Sequence, residues 1–376
     1  MRSAMRIGMV GHAFMGAVHS QAWRTAPHFF DLPPLELTAI CGRDEDRVRA
    51  AADKFGWRSY ETDWRALVAR DDIDIVDICT PDDSHAAIAI AALQEGKHVL
   101  CEKPLANTVA EGVAMVAAAE RAKGLAMTAF NYRRVPALAL ARRLIEAGRL
   151  GTLRQVRAQY LQDWLVDPDF PLTWRLNAEQ AGSGALGDLG AHIIDLSQWL
   201  TGQHITSVGA LLQTFITERP IPGSDERGPV TVDDAALFTA RFTGGAIGSF
   251  EATRFATGRK NAMRIEINGS AGSLAFDFES MNELSFYDGQ TDDAGFRRIL
   301  ATESTHPYVD AWWPPGHGLG YEHTFTHQVR DFVTAISKGE QPRPSFADGL
   351  QVQQVLAAVQ SSGQAAGTHI PVPGTN

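Results

Sequence analysis

Three cysteines in 376 residues, with no CxxC pair and no cluster at metal-ligand spacing, give no basis for a disulfide framework or a zinc site. Long apolar runs are also missing, and no stretch reaches the roughly 18 residues that a membrane span needs. The start, Met1 to Arg6, runs straight into a strand-like segment and lacks the apolar core and small-residue cleavage site of a signal peptide. Positive charge is scarce: Lys+Arg number 34 against 44 Asp+Glu, a net charge of -10, and no block of five or six basic residues occurs. A nucleic-acid partner is therefore disfavoured. Internal repeats and low-complexity tracts are absent. The expectation is a chain in a reducing, cytoplasmic setting, with no membrane partner, and too long for one core, so that two domains form.

What is present is ordered by period. Arg6 to Val10, Leu35 to Cys41, Ile73 to Cys79, Lys97 to Cys101 and Ala126 to Phe130 read as strands. Between them His12 to Thr25, Asp44 to Phe55, Ser84 to Glu95 and Thr108 to Lys123 read as helices. Near-continuous apolar strands alternating with helices imply a parallel sheet covered on both faces. Cys41, Cys79 and Cys101 each fall at or near a strand end, so they are expected as buried structural thiols along one edge of that sheet. Beyond residue 130 the pattern changes. Helices are expected over Pro136 to Ala147 and about Leu186 to Leu200. Strands are expected over Leu153 to Leu161, Val208 to Phe215, Ala235 to Phe242, Ala246 to Arg254, Met263 to Asn268, Gly272 to Asp277 and Glu283 to Tyr287. Short glycine turns join several of these strands, which predicts a largely antiparallel sheet. Glu218 to Pro229, rich in Pro, Gly and charge, is expected as a loop. Glu322 to Ser337 and Asp348 to Ser361 close the chain as helices.

The fold class expected is therefore α/β: a doubly wound Rossmann domain over 1–130, then an α+β domain over 131–376 with a large, mostly antiparallel open sheet. The closing helices are free to pack back on the first domain.

Gly8-Met9-Val10-Gly11-His12-Ala13-Phe14-Met15-Gly16 lies between the first strand and the first helix, where a dinucleotide fingerprint belongs. Gly11 permits the tight turn and Gly16 the close packing of helix on strand. Ala13 stands where the middle glycine allows backbone to approach a pyrophosphate, and the helix N-terminus at Phe14 and Met15 still favours an anion. At the end of the second strand, Gly42 leaves room where a carboxylate would repel a 2′-phosphate. Arg43 is suited either to pair with that phosphate or to stack on adenine, and Asp44 to reach a ribose, so NAD and NADP both remain open. Thr80 and Pro81, with His85 following, form the next strand-to-helix turn, beside the nicotinamide ribose. Glu102-Lys103-Pro104 ends a further strand. A lysine at the C-terminal end of a strand in such a chain stands where a nicotinamide ring meets an alcohol.

These motifs, with Gly187-Asp188-Leu189-Gly190-Ala191-His192 and Asp195, resemble the glucose-fructose oxidoreductase / inositol dehydrogenase / rhizopine catabolism (Gfo/Idh/MocA) family over essentially the whole chain. Phe130-Asn131-Tyr132-Arg133-Arg134, Tyr160-Leu161-Gln162-Asp163-Trp164 and Pro171-Leu172-Thr173-Trp174-Arg175 are similar to members that oxidise the 3-hydroxyl of an anhydrosugar with NAD.

The resemblance implies an NAD(P)-dependent dehydrogenase acting on a secondary hydroxyl of a sugar, anhydrosugar, glycoside or cyclitol, with catalytic roles for Lys103, Asp188 and His192. His192 titrates near neutrality and is the better general base, with Asp188 orienting it and Lys103 stabilising the alkoxide. A version with Lys103 as the base stays open. Asn131, Tyr132, Gln162, Trp164, Arg175 and His323 are candidates for the sugar pocket alongside Asp188 and His192, and Glu102 with His85 for the cofactor side. His323 and His327 share a helix face without a third ligand, so no metal is expected. A homodimer or homotetramer is expected. Two rival readings use the same parts: redox-neutral glycoside cleavage through a transient keto sugar, and a non-catalytic cofactor-binding regulator.

Overall fold

A computed structural model of the protein describes residues 4–292 and 295–374. In chain order it begins β1 Met5–Val10, α1 Phe14–Phe29, β2 Leu35–Cys41, α2 Glu45–Phe55, β3 Ser59–Glu61, α3 Trp64–Val68, β4 Ile75–Ile78, α4 His85–Gln94, β5 His98–Cys101, α5 Val109–Arg121 and β6 Ala126–Thr128. It continues with α6 Pro136–Glu146, β7 Leu153–Leu161, α7 Ala178–Ala181, a π-helical turn Leu186–Gly190, α8 Ala191–Thr201 and β8 Ile205–Gln213. The short hairpin β9 Glu218–Pro220 and β10 Arg227–Pro229 follows, and then β11 Ala235–Phe242, β12 Ile247–Thr253, β13 Ala262–Gly269, β14 Gly272–Asp277, β15 Glu283–Asp288 and β16 Phe296–Leu300. α9 Tyr321–Lys338, α10 Phe346–Gln364 and β17 Ile370–Pro371 complete it.

Two compact units result. The first takes the chain up to Arg134 together with Gly320–Gln351, and the second takes Val135–Leu319 together with the chain from Val352 onward.

In the first unit six parallel strands lie in the order β3-β2-β1-β4-β5-β6, with the sequence crossing over at β1/β4. Such a reversal of strand order is where open α/β sheets bind ligands, beyond the carboxyl ends of the strands. Ile75, Val76, Val99 and Leu100 are buried, as strands covered on both faces require. Two helices begin at caps the sequence supplies: Asp44 accepts from the Arg47 N–H at 3.0 Å to start α2, and Thr108 with Glu111 forms a reciprocal cap for α5. α9 belongs to this unit, and its Phe325, Val329, Phe332 and Val333 join Ala22, Trp23 and Ala26 of α1 in one buried cluster. Cys41, Cys79 and Cys101 are buried free thiols. Burial pushes the Cys41 thiol up to about 12 and raises the other two as well.

The second unit is built on nine strands in the order β16-β15-β14-β13-β7-β12-β11-β8-β17, antiparallel except where β7 and β12 run parallel. Along β11 the side chains alternate, with Phe238 and Ala240 inside and Leu237 and Thr239 outside, which is the period of a sheet with one solvated face. Several stretches differ from the sequence-based expectation, among them the short β3, α3, α7, β16 and β17, which it did not include. Glu218 to Pro229, expected as a loop, carries the β9/β10 hairpin, because a Pro-rich, charged segment still pairs along three residues when the turn between them closes. The helix expected from Leu186 starts as a π-helical turn and becomes α-helical only at Ala191. No helix among the described residues is long and apolar enough to cross a membrane.

Candidate active site

In the first unit the glycine-rich turn is built for close approach. Gly11 adopts φ +106°, and a side chain there would strike the backbone of Cys79. Gly16 lies so close to the Gly11 carbonyl that a Cβ would overlap it, which sets how tightly α1 packs on the turn. Ala13, exposed, precedes α1 in an extended conformation and supplies no side-chain cap. The first N–H groups of a 16-residue helix are thereby left for a ligand, and Phe14 stands exposed beside them while Met15 is half-buried. This cradle fits a pyrophosphate.

At the end of β2 the room left by Gly42 is occupied by the His12 ring, which a Cβ at Gly42 would hit. Arg43 is exposed, and the Asp44 carboxylate is committed to the N-terminus of α2. The next turn is held by side chains: the Ser84 hydroxyl donates to Thr80 Oγ1 at 2.6 Å, and Pro81 leads into it. His85, fully buried, has Nδ1 3.0 Å from the Pro104 carbonyl and Nε2 3.0 Å from the Thr80 carbonyl. Its ring joins the turn after β4 to the turn after β5, and burial lowers its pKa despite those carbonyls.

Glu102 is also buried. Its Oε2 accepts the Lys103 backbone N–H at 3.1 Å, and its Oε1 lies 3.0 Å from His19 Nε2. The other side of the His19 ring meets Asp77, which also takes the Trp23 indole N–H at 2.6 Å. Lys103 itself is half-buried and precedes Pro104 through a cis peptide. Asn131 is buried, with its amide donating to Thr324 Oγ1 at 2.8 Å, and Tyr132 is buried with its ring 6.5 Å from that of Tyr321. His323 accepts the Gly320 N–H at Nδ1, a cap for α9, and burial lowers its pKa. His327 is turned to the Arg134 carbonyl at 3.0 Å.

In the second unit, Asp188 lies in the π-helical turn and His192 in the first turn of α8. The turn is anchored from outside: Asp233 accepts the Gly184 N–H at 2.7 Å on one oxygen and the Leu186 N–H at 2.8 Å on the other. Two backbone donors that no intrahelical bond reaches are thus satisfied by one carboxylate. Arg254, fully buried, donates to the Asp233 carbonyl at 3.0 Å and lies over the Trp164 ring at 5.5 Å. Burial lowers its pKa, and the charge of Asp188, then of Asp233 and Asp234, works in the opposite direction.

Beside His192, the ring of Tyr160 stands edge-on at 5.8 Å, and its hydroxyl donates to Asn261 Oδ1 at 2.7 Å. Gln162 donates to the same Asn261 oxygen at 2.8 Å and accepts the Trp164 indole N–H at 2.9 Å. Asp188, His192, Gln162 and Trp164 thus lie in one unit, and Arg175 of the same unit sits on a short helical turn with its guanidinium 4.4 Å over Trp174.

The sequence reading passed over His19, Asp77, Asp233, Arg254 and Asn261. Asp77 carried a signal, a lone carboxylate within a buried apolar strand, and so did His19 on the inner face of α1. Asn261, after an exposed turn, carried none.

Residues 5–130 match the model for the oxidoreductase family with an NAD-binding Rossmann fold, and residues 138–275 match the GFO/IDH/MocA C-terminal domain. Levoglucosan dehydrogenase of Pseudarthrobacter phenanthrenivorans is 43% identical over 375 residues, covering 95% of this chain and 96% of the relative. The crystal structure of an oxidoreductase domain protein from Kribbella flavida superposes with a TM-score of 0.96 at 65% identity, covering 99% of this chain and all of the other. The structure of levoglucosan dehydrogenase in complex with NADH and levoglucosan gives 0.95 at 42% identity, with 99% of this chain and 100% of that chain covered. Matched in both of its halves, this chain belongs to the Gfo/Idh/MocA family of NAD-binding oxidoreductases.

Proposed function

We propose that this oxidoreductase oxidises a secondary hydroxyl of a sugar to a ketone, with an anhydrosugar such as levoglucosan as the first substrate to try. The observation that carries this reading is 43% identity, over nearly the whole of both chains, to a levoglucosan dehydrogenase, in a chain that has Lys103, Asp188 and His192 at the family's motif positions. NAD, when bound, supplies the hydride acceptor, and the uncapped start of α1 with Gly11 and Gly16 would hold its pyrophosphate. Thr80, Pro81, His85 and Glu102 frame the nicotinamide side, and Gly42 with Arg43 the adenosine side. With Asp44 spent on capping α2, ribose selection falls to Arg43 and its neighbours.

His192 takes the hydroxyl proton as the general base, Asp188 orients it, and Lys103 stabilises the developing alkoxide. Each does so from a supported position: the Asp188 turn hangs on Asp233, and the Lys103 backbone on Glu102. Gln162, Trp164 and Arg175 contact the sugar, together with Asn131, Tyr132 and His323. Gln162 and Trp164 are already bonded to one another, so less rotamer entropy is lost on binding. A homodimer or homotetramer in a reducing, cytoplasmic compartment completes the reading.

The test is spectrophotometric. Incubating the purified protein with levoglucosan, other sugars and cyclitols should produce NADH in stoichiometric amount, with a lower KM for NAD than for NADP. Cleavage of a glycoside without net NADH would replace this reading with a redox-neutral one, and silence across the panel would favour a regulator.

A further inference from the structure

We propose that His19 is a positioning residue for Lys103: an imidazolium on α1 that, through Glu102, fixes the backbone of the lysine and ties it to the helix that opens the dinucleotide turn. The proposal rests on the reading of Lys103 given above.

The His19 ring is 1% exposed and is clamped between two carboxylates. Its Nδ1 lies 3.0 and 2.9 Å from the two oxygens of Asp77, and its Nε2 lies 3.0 Å from Glu102 Oε1. An ionised carboxylate only accepts hydrogen bonds, so a neutral imidazole would leave one ring nitrogen facing an acceptor with no proton between them. Both nitrogens are satisfied when the ring carries two protons. Moving one of those protons onto a carboxylate keeps the total charge unchanged but transfers it from a group of ordinary pKa near 6.5 to one near 4, which is uphill by roughly two pKa units before the environment acts. The environment opposes the transfer too. Asp77 accepts from the Trp23 indole at 2.6 Å and the Cys79 thiol at 3.6 Å, and Glu102 accepts the Lys103 N–H at 3.1 Å, all of which favour the ionised carboxylates. Burial works against a charged ring, but the charge of Asp77 and its hydrogen bond outweigh it, and the His19 pKa is raised well above its ordinary value. Phe325 of α9 closes the remaining side, with its ring 5.4 Å away.

The consequence is mechanical. His19 lies in the second turn of α1, the helix whose uncapped start forms the anion cradle. Asp77 sits on β4 and Glu102 directly after β5, so one cation binds the cradle helix to two neighbouring strands and to the peptide of Lys103. Buried and fully paired, such a bridge holds geometry well, whereas removing the cation alone leaves two buried carboxylates side by side.

The experiment separates position from mere stability. His19→Gln leaves the cluster one unit more negative, and the double variant His19→Gln/Asp77→Asn restores the charge balance with two amides while leaving Glu102 on the Lys103 peptide. His19→Gln is expected to lower kcat roughly 10- to 100-fold, the scale of an ångström of misplacement, while the Kd for NAD by calorimetry changes by less than about threefold. The double variant should recover most of the lost kcat. In the wild-type protein with histidine-selective 15N labelling, the His19 signals, assigned by their loss in His19→Gln, should report both ring nitrogens protonated at pH 8. Amide hydrogen exchange at Lys103 should quicken in the single variant. A neutral His19 at pH 8, wild-type kcat in His19→Gln, or a double variant no better than the single one overturns the proposal. If no polyol is oxidised by the wild type, the functional reading fails on its own, and the protonation state with the Lys103 exchange rate still decides whether the bridge exists.

Discussion

A lysine or histidine contributes to alcohol oxidation only if it returns to the same place on every turnover, and the side chains behind these residues determine that. Lys103 has its peptide N–H on Glu102, and His192 has Tyr160 edge-on, itself pinned by Asn261. On the proposed roles, removing the working group removes chemistry and spares the scaffold. His192→Ala should lower kcat roughly 10²- to 10⁴-fold, the range for a lost general base, with the Kd for NAD unchanged and the melting temperature close to wild type. Stopped-flow kinetics with calorimetry check this, and near-normal turnover would strip His192 of the role. Lys103→Met should behave likewise in kcat.

The second-row residues could not be read from the chain in the same way. Glu102-Lys103-Pro104 and Asp188 with His192 are adjacent or four apart, so they are visible as motifs. Asp233 lies 49 and 47 residues from the two N–H groups it holds, and His19 lies 83 residues from Glu102. Only folding brings such partners together.

Among the elements, the turn that carries Asp188 is anchored by Asp233. Asp233→Ala would bury two backbone N–H groups without acceptors, at about 1–3 kcal/mol each. The melting temperature should fall by several degrees, and kcat should fall more than the KM for the sugar rises, because the turn loses its anchor. Asp233→Asn, with one acceptor oxygen, should lie between. A variant with unchanged stability would show that the turn supports itself.

α9 makes a different prediction. Burial holds the His327 pKa down at about 3, against an ordinary 6.5, and its Nδ1 faces the Arg134 carbonyl, which calls for a neutral ring donating from that nitrogen. The folded state then binds fewer protons than the unfolded chain wherever the pH lies below 6.5. Stability from this group is complete above pH 6.5 and declines as the pH falls from there toward 3. Denaturant unfolding at pH 5 and 7.5 should show the loss, and His327→Gln should flatten that part of the slope; an equal slope in both proteins would refute the assignment. The alternating strands and amphipathic helices were legible because period alone specifies them. The β9/β10 hairpin was not, since three paired residues carry too little pattern, and the π-helical start before α8 was not, since it is held by Asp233 from the distant loop before β11.

For the whole molecule the decisive surface is the outer face of the nine-stranded sheet. Leu237 of β11 lies directly across from Leu211 of β8, and Ile247 is on the neighbouring β12; they are 49%, 68% and 48% exposed. Exposed leucines paired across adjacent strands cost solubility unless something covers them, and exposed apolar surface of this kind marks interaction sites. The Arg157–Glu266 and Arg264–Asp277 pairs farther along the same sheet supply the polar surround usual at interfaces. In the proposed homo-oligomer this face would meet its own copy through a twofold axis, which makes every contact occur twice and closes the assembly without leaving a free patch. One charge placed at the centre is then introduced twice. On the proposed homo-oligomer, Leu237→Glu should leave a species near the 40.9 kDa chain mass in light scattering, with the circular dichroism of the fold retained. A wild type that already sediments as a monomer at micromolar concentration would refute the assignment of this face, as would a Leu237→Glu protein of unchanged mass.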